Sequence, residues 1–427
     1  LKAQMTRCLT VILSVSIAIF LLGCELEFPN LNAPVVENVP VQSLVTGTEA
    51  GMRVDFAIYL RVVASIGREV YYFEPADPRY TGEVLRGTID PGGFLLNRPW
   101  GARYRVAANC NILLDKAASL SGAERAGIEG FAKTLMAYQL LLNLNYMDDN
   151  GIQLDFSGNK GTPFASKAAS FARIEQLLDE ANTSLAGAGS SFSFALSSGF
   201  AGSGGEVFNT PAGFAKLNRA LRARVAMYQG KFNEALTALQ GSFLSTTAPM
   251  DLGVYHVYGT GLGDQLNEIF EAPTAPFVKL MAHPSFETDA ELGDDRFASK
   301  VAVRASATTF DNLTSRLAVT TTSSSTDRLP IIRNEELLLL RAEANIGLGN
   351  LGTAQNDINT VRAAAGLGLA VLTPSNALDR LLYEKRYSLF MEGHRWVDMR
   401  RYNRLGQLPI DRSGDVVSSR LAKPETE

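Results

Sequence analysis

The residues best suited to chemistry lie in the last hundred positions. Glu343, Glu384, Glu392 and Asp398 stand there among Arg386, Arg395 and Arg401. Paired carboxylates could act as acid and base in glycoside hydrolysis. Their setting argues otherwise, because they alternate with leucines and aromatics on segments of helical period. Bidentate pairs between arginine and carboxylate hold packed helices in register, so these groups are expected to be framework. His394 follows Glu392 after a single residue, which is not the spacing of a zinc-protease motif. The three histidines, His256, His283 and His394, are too widely spread to suggest a His-rich zinc site. Gly259-Thr260-Gly261-Leu262-Gly263 is similar to a fragment of a nucleotide loop but lacks the flanking strand and helix. Asp148-Asp149-Asn150-Gly151 has no glutamate at the spacing of a calcium loop and is expected to end a helix. Neither a G-x-S-x-G elbow nor a P-loop occurs. No catalytic residue, cofactor or metal is expected.

The elements that carry these residues are mostly helical. Gln42 to Tyr71 forms a long apolar pattern, with Met52, Phe56, Tyr59, Leu60 and Val63 at helical spacing. Helices are expected from Trp100 to Leu120, Glu124 to Met147 and Phe171 to Leu185. Phe214, Leu217, Leu221, Val225 and Tyr228 line one face of another. Gly230 ends that helix and a short one follows over 233–240, a hairpin similar to a tetratricopeptide unit. A second hairpin is expected over 335–365, with Gly347 and Gly349 at its turn. Thr373-Pro374 then has the pattern of a helix start. Between the helices, 74–99, 186–211 and 241–330 lack helical period and are expected as long irregular loops on an α-helical scaffold.

Composition narrows the function. With 427 residues and 46% apolar content the chain can bury a large core. A net charge of -4 argues against nucleic acid as a partner, since phosphate binding needs a basic face. Arg7 precedes an apolar run from Cys8 to Leu22, of signal-peptide length and short for a membrane span. Leu21-Leu22-Gly23-Cys24 resembles a lipobox, so 1–23 is expected as a signal peptide and Cys24 as the lipid attachment site. Residues 24–40 are expected as a tether. With Cys8 and Cys24 in or at the edge of the apolar segment, Cys110 is left as the one ordinary thiol and no disulfide framework is expected.

The run Arg333-Asn334-Glu335-Glu336-Leu337-Leu338-Leu339-Leu340-Arg341-Ala342-Glu343-Ala344 resembles the C-terminal signature of the SusD/RagB family. Tyr383-Glu384-Lys385-Arg386 and Glu392-Gly393-His394-Arg395-Trp396-Val397-Asp398-Met399-Arg400-Arg401 extend the likeness. Trp100 to Asn111, Phe131 to Leu154 and Ala220 to Val225 resemble the family in the same order. The resemblance implies one mainly α domain over 41–427, tetratricopeptide-like, with long irregular ligand-binding loops. Its parts would be a loop-rich region at about 41–210, repeat helices at about 124–240 and 333–402, and a loop insertion at about 241–330. It further implies a non-enzymatic outer-membrane lipoprotein, exposed at the cell surface, where Glu25 and Glu27 resemble an export signal. Such a protein would bind a glycan or similar nutrient and deliver it to a SusC-like TonB-dependent transporter. A sugar site needs aromatic faces beside groups that bond hydroxyls. Tyr71, Tyr72, Asp77, Arg79 and Tyr80 are the first candidates; Tyr255, His256 and Tyr258 are the second. The competing expectation is a helical-repeat lipoprotein that scaffolds envelope assembly from the periplasmic side.

Overall fold

The computed structural model describes residues 39–156 and 162–425. The expected signal segment, Cys24 and nearly all of the tether lie outside them. Two helices open the described chain, α1 (Val41–Arg53) and α2 (Phe56–Ile66), where the apolar pattern suggested one helix over 42–71. Left-handed residues break that pattern twice, Asp55 at φ 55° and Arg68 at φ 54°. An arginine holds each break. Arg103 donates to the Met52 carbonyl at 2.7 Å, satisfying the end of α1. Arg68, buried itself, donates to the carbonyls of Ser65, Leu85, Pro409 and Val416 and so ties the C-terminal tail to the core. Apolar spacing continues through both breaks, so periodicity could not show them.

Strand β1 (Val70–Tyr72) follows, then one π-helical turn at Tyr80–Val84. Helices α3 (Phe94–Ala118), α4 (Gly122–Met147), α5 (Lys167–Ala186), α6 (Pro211–Tyr228) and α7 (Phe232–Gln240) come next, each packed on the one before. This is the stacked arrangement of a helical-repeat scaffold. Helix α3 begins on Phe94, ahead of the expected Trp100, and carries Pro99 inside it. Ser166 caps α5 by accepting from the Ala169 amide at 3.2 Å. Thr210 caps α6 in the same way, with Pro211 at the first helical position. Gly230, at φ 70°, makes the α6–α7 turn.

The stretch 241–330 is more regular than its sequence suggests. It contributes β2 (Gly253–His256), β3 (Leu280–Ala282), the short helices α8 (Ser285–Thr288) and α9 (Asp295–Lys300), β4 (Val301–Phe310), β5 (Leu313–Val319) and the start of β6 (Leu329–Arg333). An antiparallel sheet has the order β1-β3-β5-β4, and β2 pairs with β6 as a separate ribbon. Two of these strands are three or four residues long and pair far along the chain. No local alternation long enough to recognise is left.

Helices α10 (Asn334–Gly347), α11 (Leu351–Ala364), α12 (Ala377–Ser388) and α13 (Arg395–Arg401) complete the fold. Thr373-Pro374 does not start α12. Asn376 Oδ1 accepts the Thr373 amide at 2.7 Å, so 373–376 forms a turn and the helix begins at Ala377. Leu338, Leu339, Ile358, Val361 and Leu381 form the apolar seam of this C-terminal group. Charge crosses the same interfaces. Arg224 of α6 meets Glu336 of α10 through two bonds of 2.6 Å, both side chains buried. Lys385 lies 2.9 Å from Glu343 and 2.8 Å from Asp398, and Arg401 reaches both acids. Glu384 is held by Arg296 and Arg362, and Arg386 by Asp289. His394 Nδ1 is 3.2 Å from the Tyr228 hydroxyl, and burial lowers its pKa. These are the interhelical pairs expected of a framework.

Glu69 differs from them. It is 2% exposed and its oxygens have no side-chain hydrogen-bond partner among the described residues, the Met391 amide being the backbone group nearest to serving them. Burial raises its pKa to about 7, against the pull of the Arg395 guanidinium. The folded-state value lies above the unfolded one, so the favourable contribution is full below the unfolded value and is lost as pH rises through the folded value. Glu69→Gln should therefore match the parent near pH 4 and exceed it at pH 8 by on the order of 2–3 kcal/mol. Melting curves across that range test this; a stability gap that stays constant with pH would refute it. For the framework pairs, Arg224→Met should cost about 3–5 kcal/mol, because it strands Glu336 in the interior. Pairing it with Glu336→Leu should recover much of that loss in denaturant titrations. An equally unstable double variant would show that packing, not the stranded charge, is responsible.

Candidate functional site

The β2–β6 ribbon positions the site. Gly253 pairs with Arg333 and Val254 with Ile332, then the register shifts and Tyr255 faces Pro330. Proline has no amide to give the ladder, so an irregularity at that point is expected. Beyond it, successive side chains point to opposite faces. Tyr255 lines the wall of an open cleft of about 830 Å³, itself only 7% exposed, and His256 turns into the core. The His256 ring lies 4.6 Å from Phe56 and 6.3 Å from Tyr138. Burial, with Arg103 and Arg53 nearby, lowers its pKa to about 3, so it stays neutral. It is a core residue, which corrects its candidacy for ligand binding.

The cleft wall joins Tyr255 to two partners. The Arg328 guanidinium lies over the Tyr255 ring at 3.9 Å and 3.1 Å from the Asp251 carboxylate. The Tyr255 hydroxyl donates to the Asp251 backbone carbonyl. Arg328 and Asp251 are 50% and 67% exposed, so their mutual attraction is weak and both stay accessible. Tyr258 lines the same cleft, and its hydroxyl makes no hydrogen bond among the described residues. Thr321 adds a second hydroxyl whose Oγ1 has no protein partner.

The floor belongs to the framework. Arg333 bonds Glu335, Glu392 and the Ser388 carbonyl. Burial alone would raise Glu335, but Arg333, Lys300 and the Ser388 hydroxyl together hold the carboxyl below its ordinary range. Lys300 donates to the Tyr387 and Ser388 carbonyls at the end of α12, and burial lowers its pKa to about 8. Glu335 and Glu392 are thus committed to arginine, and neither stands free as an acid or base.

The tyrosines of the other candidate segment are placed differently. Tyr71, Tyr72 and Tyr80 are 2%, 7% and 4% exposed. Tyr71 packs on Phe73 and His283, and Tyr72 on Tyr80, with the Arg61 guanidinium 4.3 Å from the Tyr72 ring. Protein already covers these rings, so they brace β1 and the π-helical turn. Asp77 and Arg79 pair with each other through two 2.7 Å bonds at the half-buried turn, where Arg79 also stacks on Phe94. Of the eight expected ligand-binding residues, the cleft gathers Tyr255 and Tyr258. Sequence reasoning missed Asp251, Thr321 and Arg328. Only the nearness of Asp251 to Tyr255 in the chain could have signalled any of them.

One further constellation was not foreseen. His283 lies 3.1 Å from Asp411 and 2.8 Å from the Ser285 hydroxyl. Arg386 donates to that hydroxyl at 2.6 Å, and none of the three lines the cleft. The line clasps the tail to α8. Among the described residues there is no cluster of three or more metal-ligating side chains, and no helix is long and apolar enough to cross a membrane.

Comparison with known proteins agrees with the architecture. Residues 309–423 match the model of the SusD family. A SusD-like carbohydrate-binding protein from Bacteroides vulgatus superposes with a TM-score of 0.62 at 16% identity, covering 85% of this chain and 83% of its own. A laminarin-binding SusD-like protein gives 0.61 at 18% identity, covering 89% and 96%. Surface glycan-binding protein A from Bacteroides uniformis gives 0.62 at 16% identity, covering 90% of each chain. No curated protein sequence matches.

The ribbon leaves no space beneath Tyr255. A Cβ added at Gly199, in the turn Ser198–Phe200, would lie 2.1 Å from the Tyr255 carbonyl. Gly199→Ala should therefore push β2 outward and cost about 1–3 kcal/mol. Thermal unfolding checks the cost. Unchanged stability, with unchanged Tyr255 packing in a crystal structure of the variant, would overturn it.

Proposed function

This chain belongs to the SusD/RagB family, and we propose that it is a non-catalytic lipoprotein of the outer membrane that captures a glycan. The carrying observation is the cleft, open and lined by aromatic and hydrogen-bonding groups, on a scaffold shared with glycan-binding proteins. Sugar rings offer apolar faces to aromatics and hydroxyls to polar groups. Tyr258 supplies the aromatic kind and Arg328 and Asp251 the polar kind within one wall, with Tyr255 beneath Arg328. Binding without turnover is favoured because Arg333 holds the two carboxylates of the floor.

In this reading Cys24 carries the lipid, residues 24–40 form the tether and the single domain over 41–427 stands at the cell surface. The bound glycan passes to a partner TonB-dependent transporter. Several acyl chains on one cysteine would give lasting attachment. The function is tested by titrating a glycan panel into the protein by calorimetry. At least one oligosaccharide should bind, and Tyr258→Phe, which removes only the hydroxyl, should weaken it about tenfold, a loss of roughly 1.4 kcal/mol, without lowering the melting temperature. In cells, Cys24→Ser should abolish lipid labelling, and external protease should digest the parent protein before lysis. Resistance until lysis would favour the periplasmic scaffold.

A further inference from the structure

We infer that the cleft selects uncharged sugars, recognised through adjacent hydroxyls by Asp251 and Arg328 across the Tyr255 ring. The inference rests on the glycan-binding reading and adds the ligand class. Its basis is how the charges of the cleft are already used. Four cations line it, Arg296, Lys300, Arg328 and Arg333, and four anions, Asp251, Asp327, Glu335 and Glu392. The formal charges cancel.

Most of these groups are committed to the protein. Arg296 is held by Asp294 and Glu384. Arg333 is held by Glu335 and Glu392. Asp327 accepts from the backbone and hydroxyl groups of Ser323 and Ser324. Lys300 is spent on two carbonyls at the end of α12. What a ligand can still engage is the exposed Arg328–Asp251 pair and the Tyr258 hydroxyl.

That residual set fits a neutral polyol. A carboxylate can accept from two neighbouring hydroxyls, and a guanidinium can donate to two oxygens at fixed spacing. Because the two side chains lie side by side at 3.1 Å, a ring laid against the pair meets an acceptor and a donor together. A sugar acid would fit less well. Its carboxylate would approach Arg328 only beside Asp251, and no cation lining the cleft is left without a partner to balance the added charge. Tyr255 keeps this arrangement in place, through its ring beneath Arg328 and its bond to the Asp251 backbone.

The test is calorimetry on the purified chain with neutral probes (laminarin, dextran, mannan and xyloglucan oligosaccharides) and acidic probes (oligogalacturonate, alginate and hyaluronate fragments). The expected result is binding of a neutral probe with an affinity that changes less than twofold between low and high salt. Asp251→Ala and Arg328→Ala should each weaken it at least tenfold without shifting the melting temperature, since both side chains are exposed. Preference for an acidic probe, with affinity falling as salt rises, would overturn the inference and leave the glycan-binding reading intact. So would a neutral probe whose affinity neither variant changes. Failure of every probe to bind the folded protein would overturn the glycan-binding reading itself.

Discussion

Arg333 is the residue on which most of this structure converges. It ends β6, directly precedes α10 and bonds Glu335, Glu392 and the Ser388 carbonyl at the end of α12. A guanidinium buried among two carboxylates has little freedom, because each bond it loses would leave a charge unpaired in the interior. The ribbon, the C-terminal helices and the turn before α13 are therefore held at one point. That point is also the floor of the cleft.

This arrangement separates stability from recognition. Charges facing the core are paired deeply, as with Arg224 and Glu336 or Lys385 with Glu343 and Asp398. Charges at the rim, Arg328 and Asp251, are paired loosely in water. Buried pairs fix helix register but have no capacity left for a ligand. Exposed pairs add little to stability and can exchange partners at small cost. The charge-rich residues of the C-terminal signature are therefore committed to one another, and sparse residues from the middle of the chain line the wall.

Helices were legible from the sequence where one face is apolar over three or more turns, as in α4, α6 and α10. They were misjudged where a tertiary contact overrode the pattern. Arg103 and Arg68 end helices that apolar spacing would continue, and Asn376 turns an apparent helix start into a turn. The strands were not legible, because β1 and β3 are each three residues long and gain their stability from distant partners. Among the candidate ligand residues, a tyrosine in a loop and one in a short strand look alike until pairing is known.

The sequence by itself determined the helical scaffold, the family resemblance and the framework role of the C-terminal charges. Those properties are encoded in local spacing and in residue types that recur along a helix. Only the tertiary structure decided which aromatics lie along the cleft. Tyr255 and His256 are neighbours in the chain, and the side each takes depends on how β2 pairs with β6 around Pro330. A one-residue change of register would exchange their places. That choice is made by residues far along the chain, so no reading of the segment alone could contain it.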